Sequence, residues 1–365
     1  MSKIVHVVGA RPNFVKMAPI IDALARSGKV NQHVVHTGQH YDRRLSDDVL
    51  SDLGFATPDR FLGVGSGRHG EQTAKTLIAF EEVLLDEKPD LVVVAGDVNS
   101  TLAAALAAAK LEIDVAHVES GLRSRDWSMP EEINRVLTDR LSTLLFTHSP
   151  EAAENLSAEG IDLDRVHYVG NTMIDSLRRF ESSARERAAW SAHGVAEGSY
   201  VLVTLHRPSN VDSPEQLAKL VEALADLSRH APVIFPTHPR TRARLEEEGL
   251  LASLERSSVA AIPPVGYLDF LSLELGAGAI VTDSGGVQEE ASAFGVPCYT
   301  LRPNTERPVT LSAGSNQLLG EDPSSVAGIR PSPGPRTPCA IPLWDGHAGE
   351  RTTAVLEAFC LRGAS

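Results

Sequence analysis

Short runs of Val, Ile and Leu alternate with segments of helical character along almost the whole chain, and this alternation limits the possible folds most strongly. The apolar runs lack strict polar–apolar alternation, which indicates strands that are buried on both faces. In the first half of the chain we predict strands at residues 4–8, 32–37, 91–95, 115–118, 144–147 and 166–169. In the second half we predict them at residues 200–204, 233–235, 259–262, 279–282 and 298–301. Two successive series of this kind predict an α/β protein with two doubly wound parallel sheets.

Helical segments lie between the predicted strands, as the crossover connections of parallel sheets require. In the first half of the chain they begin at about residues 12, 70, 100 and 130. In the second half they cover residues 213–229, 239–251, 267–275 and 286–294. The helix at residue 130 begins with Pro130, and proline is well tolerated at the first helical position.

The boundary between the two series is predicted near residues 170–172. We therefore expect an N-terminal Rossmann-like domain over residues 1–171 and a C-terminal Rossmann-like domain over residues 172–348. Residues 320–342 are rich in Pro, Ser and Gly, which predicts an irregular connection. A last helix, at about residues 349–361, is expected to pack back on the N-terminal domain.

Size and charge exclude several classes of protein. A chain of 365 residues is long enough for two domains that each bury a core. The formal net charge of −14 argues against nucleic acid or an anionic membrane as a partner. The three cysteines, Cys298, Cys339 and Cys360, predict neither a disulfide framework nor a thiolate zinc cluster. The first residues lack the pattern of a signal peptide, so a cytoplasmic location is expected.

One motif indicates a site for an anion. Residues 279–290 read as a short apolar strand that ends at Asp283, followed by Ser284, Gly285 and Gly286 and then by a helix. Glycines permit close approach of the backbone to a ligand, and the free N–H groups of a helix start attract negative charge. Glu289 and Glu290 lie one turn further on, where a carboxylate can accept hydrogen bonds from sugar hydroxyls. The motif therefore predicts a site for a nucleotide-sugar diphosphate, with ordinary turn, capping and first-turn residues as the alternative.

Ionisable residues follow several predicted strands, at the edge where parallel sheets bind ligands. Asp97 and Glu119 follow the strands at residues 91–95 and 115–118, and His206 follows the strand at residues 200–204. Glu131 and Glu132 open the helix after Pro130. These residues could perform acid–base chemistry, but Asp97 is equally suited to cap a helix. At least one acid of the Glu131–Glu132 pair is expected to be a surface residue that balances the helix dipole.

Positive charge for a diphosphate is supplied by Arg11, Lys16, Arg207 and Arg307. Residues 65–70 match the glycine pattern of dinucleotide-binding loops, but no strand precedes them, so NAD is not predicted. Residues 117–119 are similar to part of the zinc deaminase motif, but the required Pro-Cys-x-x-Cys is missing. We therefore predict no metal ion and no cofactor.

Together these motifs resemble the non-hydrolysing UDP-N-acetylglucosamine 2-epimerase family, whose fold is similar to that of glycosyltransferase-B enzymes. The resemblance is carried by residues 9–12, Lys16, residues 96–97, 117–123, 130–135, 206–207, 283–290 and 305–308. It implies two Rossmann-like domains that face each other across a cleft, a homodimer, and inversion of C2 in a UDP-N-acetylhexosamine. In that reaction, UDP-GlcNAc loses UDP to give a 2-acetamidoglucal, and UDP adds back to give UDP-ManNAc.

The resemblance also implies roles for individual residues. Asp97, Glu119 and Glu131 would be the acid–base carboxylates, and His206 would stabilise or protonate the leaving diphosphate. The residues implied to bind UDP are Arg11, Lys16, Arg207, His238, Asp283, Ser284, Gly285, Gly286, Glu290 and Arg307. Of these, Glu290 would bind the ribose.

Some positions depart from the family pattern. Pro208 and Ser209 precede Asn210 where many relatives have a Glu before the Asn, and Val309 stands where a Glu is usual. Residues 37–42 differ from those of bacterial epimerases that bind a second, activating UDP-GlcNAc. These differences leave a modified or oxidised UDP-sugar as an alternative substrate. A glycosyltransferase of similar fold and a non-catalytic UDP-sugar sensor are the alternative functions.

Overall fold

The computed structural model describes residues 1–9, 11–38 and 57–362, without the side chains of Arg11 and Arg362. The chain divides into two compact units. The N-terminal unit comprises Met1–Arg178 together with the segment that begins at Pro342, and the C-terminal unit comprises Arg179–Ile341. The polypeptide therefore returns to its first unit at the end of the chain.

The N-terminal unit is built on a parallel sheet. Its described strands are β1 (Lys3–Val8), β2 (Asn31–His36), β3 (Arg60–Phe61), β4 (Leu91–Ala95), β5 (Asp114–Val118), β6 (Leu144–Thr147) and β7 (Val166–Tyr168). Their order is β3-β2-β1-β4-β5-β6-β7. Because the order reverses between β1 and β4, the carboxyl ends of these two strands flank a topological switch point.

Helices connect the strands of this sheet. They are α1 (Arg11–Ser27), α2 (His69–Glu87), α3 (Asn99–Lys110), α4 (Pro130–Leu141), α5 (Pro150–Ala158) and α6 (Thr172–Arg187). The core on one side of the sheet joins Val5, Val92 and Val94 to Phe80 of α2 and to the buried alanines of α3. The small alanine side chains allow α3 to lie close to its neighbours.

The last helix, α14 (Ala348–Arg362), belongs to the N-terminal unit and packs against α1. Asp175 of α6 accepts hydrogen bonds from the N–H groups of Ala348 (3.1 Å) and Gly349 (2.7 Å), so it caps the start of α14. A Cβ atom at Gly349 would lie 2.8 Å from Cβ of Pro19. The close contact between α1 and α14 therefore depends on a glycine at this position.

The C-terminal unit repeats the architecture. Its strands are β8 (Val201–Thr204), β9 (Val233–Pro236), β10 (Val259–Ile262), β11 (Ala279–Thr282), β12 (Cys298–Thr300) and β13 (Asn316–Leu318). They are parallel, in the order β10-β9-β8-β11-β12-β13. The helices are α7 (Pro208–Val211), α8 (Pro214–Ser228), α9 (Pro239–Glu247), α10 (Leu251–Glu255), α11 (Tyr267–Gly276), α12 (Gly285–Phe294) and α13 (Val309–Ser312). Valines of β8, β9 and β11 pack with leucines of α8 to form the core.

The prediction of an α/β protein with two parallel sheets is confirmed. Two of the described strands were not predicted from the sequence. Strand β3 has two residues, both exposed, and β13 is three residues long. Residues 320–342 contain one short 3₁₀ helix, Pro323–Gly328. Over the described parts of the chain, none of the helices combines the length and the apolar character needed to cross a bilayer.

Candidate active site

Glu119 lies directly after β5 and forms a buried ion pair. Its carboxylate contacts Nζ of Lys16, which comes from the second turn of α1, and the two side chains are 7% and 9% exposed. A Cβ atom at Gly96, after β4, would lie 3.2 Å from this Nζ and 3.4 Å from Oε2 of Glu119. The glycine therefore leaves room for the pair between neighbouring strand ends.

The backbone of Glu119 is itself unusual. Its φ angle is +67°, in the left-handed region that residues other than glycine rarely occupy. Such a conformation costs on the order of 1–3 kcal/mol and persists only where the surrounding structure enforces it. Strain of this kind is concentrated at functional sites, so the turn that presents Glu119 is a strong candidate.

Asp97 follows β4 and is held by α4. Its carboxylate pairs with the guanidinium of Arg135, and its backbone carbonyl accepts a hydrogen bond from Nδ2 of Asn134 at 2.9 Å. The side chain of Asp97 is 23% exposed, whereas that of Arg135 is 2% exposed. The aspartate is thus fixed by a buried partner while part of its carboxylate stays accessible to a ligand.

Glu131 and Glu132 occupy different environments although they are adjacent in sequence. Glu131 is partly exposed and lines a cavity of about 240 Å³ with Asp97, His69, Asn99 and other residues of the N-terminal unit. Glu132 is 2% exposed and accepts hydrogen bonds from the N–H groups of Ser124 and Arg125. It is therefore not a surface acid.

The charge of Glu132 is supported from several sides. Burial on its own would raise the pKa of this carboxyl, but the two backbone donors and the guanidinium of Arg135, 2.6 Å away, hold the pKa below its usual range. Arg135 therefore bridges the buried Glu132 to Asp97. In this arrangement Glu132 is a structural anion, and Asp97 and Glu131 are the acids that reach the cavity.

A second polar layer lies behind these carboxylates. Nδ1 of His117 is 2.7 Å from Oδ1 of Asp139, and Nε2 is 2.8 Å from the carbonyl oxygen of Gly96. Asp139 also accepts a hydrogen bond from the N–H of Gly121 at 3.1 Å and pairs with Arg123 at 2.8 Å. His117 and Asp139 are both fully buried.

In the C-terminal unit, Asp283 organises the turn after β8. Its buried carboxylate accepts hydrogen bonds from the N–H groups of His206 (3.0 Å) and Arg207 (2.8 Å) and from Nδ2 of Asn210 (3.0 Å). Burial opposes the charge, but these donors and the His206 ring hold the pKa of Asp283 below its usual range. Asp283 was predicted from the sequence to bind UDP. In the structure its carboxylate accepts hydrogen bonds from donors within the protein itself.

Asp283 also orients the imidazole of His206. Nδ1 of His206 lies 2.9 Å from Oδ1 of Asp283, and the histidine side chain is 38% exposed. A carboxylate is an acceptor, so Nδ1 carries the proton in this contact and Nε2 is directed away from Asp283. The ring of His238 lies 5.4 Å from that of His206, and its Nδ1 accepts from the N–H of Arg240 at the start of α9.

The start of α12 combines two sources of positive potential. Ser284 is the N-cap residue, but its side chain makes no capping hydrogen bond to the helix. A Cβ atom at Gly285 would overlap with Nη1 of Arg307. The glycine therefore admits a guanidinium close to the helix N-terminus, a combination that favours an anionic ligand. The prediction that this glycine lets a ligand approach is modified, because Arg307 occupies the space beside it.

Carboxylates surround the guanidinium of Arg307. Nη1 lies 2.6 Å from Glu306, and Nε lies 3.0 Å from Glu289. Glu306 also pairs with Arg302 at 2.7 Å and lies 3.7 Å from Arg207. All of these side chains except Arg207 are less than a tenth exposed. The network fixes Arg307 and Arg207 near the loop of residues 284–286.

The remaining predicted residues are placed as follows. Glu290 is 7% exposed, on α12, and Gly286 is in the first turn of the same helix. Arg11 begins α1, but its side chain lies outside the described part of the structure, as do residues 39–42 of the segment that differs from the activator-binding bacterial epimerases. Within the N-terminal unit the predicted residues Lys16, Asp97 and Glu119 thus lie at the ends of neighbouring strands and on α1.

Several residues of these networks were missed in the sequence. In the N-terminal unit they are Asn134, Arg135, His117 and Asp139, and in the C-terminal unit Asn210 and Glu306. A signal was available for Arg135 and Asp139, because they follow Glu131 at intervals of four residues on α4 and so share one face of the helix. No comparable spacing links Glu306 to Glu289.

Comparison with known proteins agrees with this description. A family profile described as UDP-N-acetylglucosamine 2-epimerase matches residues 22–357. The chain is 44% identical to the UDP-N-acetylglucosamine 2-epimerase of Methanocaldococcus jannaschii over 97% of this chain and 98% of that protein. It is 42% identical to the UDP-2,3-diacetamido-2,3-dideoxy-D-glucuronate 2-epimerase of Pseudomonas aeruginosa over 87% of this chain and 88% of that protein.

The fold is also similar to that of solved structures. The crystal structure of the M. jannaschii UDP-GlcNAc 2-epimerase in complex with UDP-GlcNAc and UDP matches 98% of this chain and 99% of that one. The TM-score is 0.90 at 44% identity. The family profile, the sequence identity and the fold agree, and the chain belongs to the UDP-N-acetylglucosamine 2-epimerase family.

Proposed function

We propose that this protein inverts C2 of a UDP-N-acetylhexosamine and converts UDP-GlcNAc to UDP-ManNAc. The observation that carries the proposal is the strained turn of Glu119, whose buried carboxylate faces Lys16 beside the strand end that bears Asp97. Acidic groups held in this way suit proton transfer at a carbon atom. The family relationship supplies the substrate class, since the M. jannaschii relative carries the name UDP-N-acetylglucosamine 2-epimerase.

The chemistry explains why acids and an anion site are both needed. The C2 proton of a UDP-sugar is not adjacent to a carbonyl, so it is weakly acidic until the C1–O bond to UDP loosens. One carboxylate then takes the proton, the C1–O bond breaks with its electrons going to UDP, and a C1=C2 double bond forms. UDP returns to C1 while a proton reaches the opposite face of C2. Both steps balance without an oxidant or a reductant.

The N-terminal unit would supply the proton-transfer groups. Glu119, Asp97 and Glu131 are the three candidate acids and bases, and the Lys16 ammonium stabilises negative charge on Glu119. General acid–base steps of this kind contribute on the order of 10²–10⁴ in rate. Partial exposure of Asp97 and Glu131 in one cavity lets both reach a sugar ring.

The C-terminal unit would hold UDP. The N–H groups at the start of α12, with Arg307 beside Gly285, supply the positive potential that a diphosphate requires. His206 is oriented by Asp283 so that its Nε2 can donate to the leaving phosphate oxygen. Buried Glu290 would accept hydrogen bonds from ribose hydroxyls.

The proposal is tested by incubating the protein with UDP-GlcNAc alone and following the sugar by proton NMR. We expect UDP-ManNAc to accumulate until equilibrium. Glu119→Gln should lower kcat by on the order of 10²–10⁴-fold while UDP binding, measured by calorimetry, stays within about threefold. Glu215→Gln, at an exposed ion pair on α8, is the matched control and should leave kcat unchanged.

Other products would point to the alternative functions. Free ManNAc with UDP would indicate a hydrolysing enzyme. Unchanged UDP-GlcNAc, despite tight UDP binding, would indicate an epimerase for a different UDP-sugar, a glycosyltransferase that lacks its acceptor, or a UDP-sugar sensor. Either result from the unmodified protein would contradict the proposed epimerisation of UDP-GlcNAc.

A second substrate has specific support. The 42% identity to the P. aeruginosa enzyme, which is named for UDP-2,3-diacetamido-2,3-dideoxy-D-glucuronate, makes this oxidised sugar a second candidate for the same C2 inversion. Comparison of kcat/KM for the two UDP-sugars decides between them. We expect the higher value for UDP-GlcNAc, and a higher value for the glucuronate would reassign the substrate.

The predicted homodimer and cytoplasmic location are part of the proposal, and sedimentation of the purified protein tests the dimer.

A further inference from the structure

A buried polar pair joins β5 to α4 behind the candidate carboxylates. His117 of β5 and Asp139 of α4 are both 0% exposed, and Nδ1 of His117 lies 2.7 Å from Oδ1 of Asp139. The other ring nitrogen, Nε2, lies 2.8 Å from the carbonyl oxygen of Gly96. Both nitrogens have partners on protein groups, so the pair itself has no nitrogen left for a substrate.

The pair reaches the two turns that carry Asp97 and Glu119. The carbonyl of Gly96 belongs to the peptide bond that joins Gly96 to Asp97. Oδ2 of Asp139 accepts a hydrogen bond from the N–H of Gly121 at 3.1 Å, two residues after Glu119. One buried pair therefore contacts the backbone beside both acids.

These two turns need such support. Gly96, Glu119 and Gly121 all have positive φ angles, of 68°, 67° and 79°. Only glycine adopts this region at no cost, so the turn at Glu119 requires surrounding contacts to hold it. Hydrogen bonds from groups that are themselves rigid and buried hold a backbone more firmly than contacts with mobile surface side chains.

The two contacts of His117 show why other side chains cannot replace it. The carbonyl of Gly96 and the carboxylate of Asp139 are both acceptors, and the imidazole of His117 places a ring nitrogen within hydrogen-bond distance of each. Asp139 in turn accepts from Gly121 and pairs with Arg123 at 2.8 Å. A phenyl ring of similar size makes neither bond, and a glutamine amide nitrogen reaches only one of the two acceptors.

We propose that His117 and Asp139 are positioning residues that hold the turns of Asp97 and Glu119 in the geometry needed for proton transfer at C2. The inference rests on the proposed function. A displacement of about 1 Å at a reacting group can cost on the order of 10²-fold in rate, which sets the size of the expected effect.

The test compares His117→Phe with His6→Phe. His6 of β1 is also 0% exposed and is bonded to Gln32 at 2.9 Å, which makes it a buried histidine in the same sheet but away from these turns. On the folded fraction, His117→Phe should lower kcat by on the order of 10²-fold and leave KM within about threefold. His6→Phe should leave both constants near those of the unmodified protein. His117→Gln should recover part of the lost kcat.

A second readout does not depend on activity. Hydrogen exchange, followed by mass spectrometry, should be faster in peptides that contain residues 96–97 and 119–121 in His117→Phe but not in His6→Phe. If His117→Phe does not fold, His117→Gln and Asp139→Asn are measured in the same way.

The outcomes separate the two claims. Unchanged kcat in folded His117→Phe, an equal loss in His6→Phe, or a change confined to KM would overturn the positioning role while the epimerase assignment stands. If the unmodified protein does not epimerise its substrate, the proposed function fails. Hydrogen exchange at residues 96–97 and 119–121 of His117→Phe then tests whether the pair holds these turns. Exchange at the rate of the unmodified protein would overturn the positioning role.

Discussion

Single residues at the carboxyl ends of the strands carry most of the chemistry. Glu119 combines a left-handed backbone with a buried ion pair to Lys16, and both features cost stability that surrounding contacts must offset. At Gly285 the absence of a side chain is what matters, because it leaves space for the guanidinium of Arg307. In both cases the residue type is explained by what must lie next to it.

Gly285→Ala tests the anion site. The added methyl group overlaps with Nη1 of Arg307, so the guanidinium must move away from the start of α12. We expect the Kd for UDP to rise by on the order of tenfold, the effect of losing one charge-assisted contact of about 1.4 kcal/mol. Calorimetry with UDP measures this change.

Gly328→Ala is the control for that substitution. Gly328 lies in the same unit, has no atom within 4 Å of an added Cβ, and does not have a positive φ angle. The Gly328→Ala variant should bind UDP with the same Kd as the unmodified protein. Equal affinity in Gly285→Ala and the unmodified protein would show that Arg307 does not contribute to UDP binding from its observed position.

The residues at strand ends were largely predictable, but their partners were not. Asp97, Glu119 and His206 follow apolar runs whose ends can be recognised in the sequence. The rotation of α4 about its axis buries Glu132 and places Glu131 at the cavity. The sequence does not determine this rotation. Asp283 was correctly expected at a strand end, whereas its use by the turn at residues 206–210 depends on tertiary contacts.

At the scale of secondary-structure elements, α4 and α14 do more than connect strands. Helix α4 holds Asp97 through Asn134 and Arg135, and it reaches the strand ends through Asp139. Helix α14 starts where Asp175 of α6 accepts two backbone hydrogen bonds. Each helix therefore fixes a part of the N-terminal unit that is distant in sequence.

The cap of α14 should be sensitive to pH. Burial is the main cause that raises the pKa of Asp175 to about 6, from 3.8, although two backbone donors and Arg351 oppose the rise. The folded protein therefore binds this proton more tightly than the unfolded chain does. The resulting stabilisation is fully present below about pH 4 and is lost as the pH rises through about 6.

Asp175→Asn removes this titration while it keeps an oxygen acceptor for the cap. We expect the free energy of unfolding of the unmodified protein, relative to Asp175→Asn, to fall as the pH rises from 4 to 7. Urea titrations of both proteins at constant ionic strength measure the difference. A difference that rises with pH would show that the backbone donors outweigh burial.

Element prediction succeeded where the local signal was strong. Pro130 marks the start of α4, and the buried valine runs mark β4 and β5. The two-residue β3 is exposed and has no apolar pattern, and β13 is held by pairing with β12 rather than by its own propensity. Short edge strands are defined by their neighbours, so they are visible only in the folded chain.

At the scale of the whole molecule, two parallel sheets with related strand orders follow one another along the chain. This arrangement was predictable, because continuous apolar strands that alternate with helices allow few other architectures. The return of the last segment to the N-terminal unit is established by contacts between α1, α6 and α14. The order of the strands in each sheet comes from pairing that the sequence does not record.

The central claim is that C2 of the sugar is deprotonated and reprotonated while UDP leaves C1 and returns. The most direct measurement is mass spectrometry and NMR of the product formed from UDP-GlcNAc in deuterated water. The account predicts UDP-ManNAc with deuterium at C2, since the proton that returns comes from an acid in exchange with solvent. Inverted product that retains its original C2 hydrogen would contradict it.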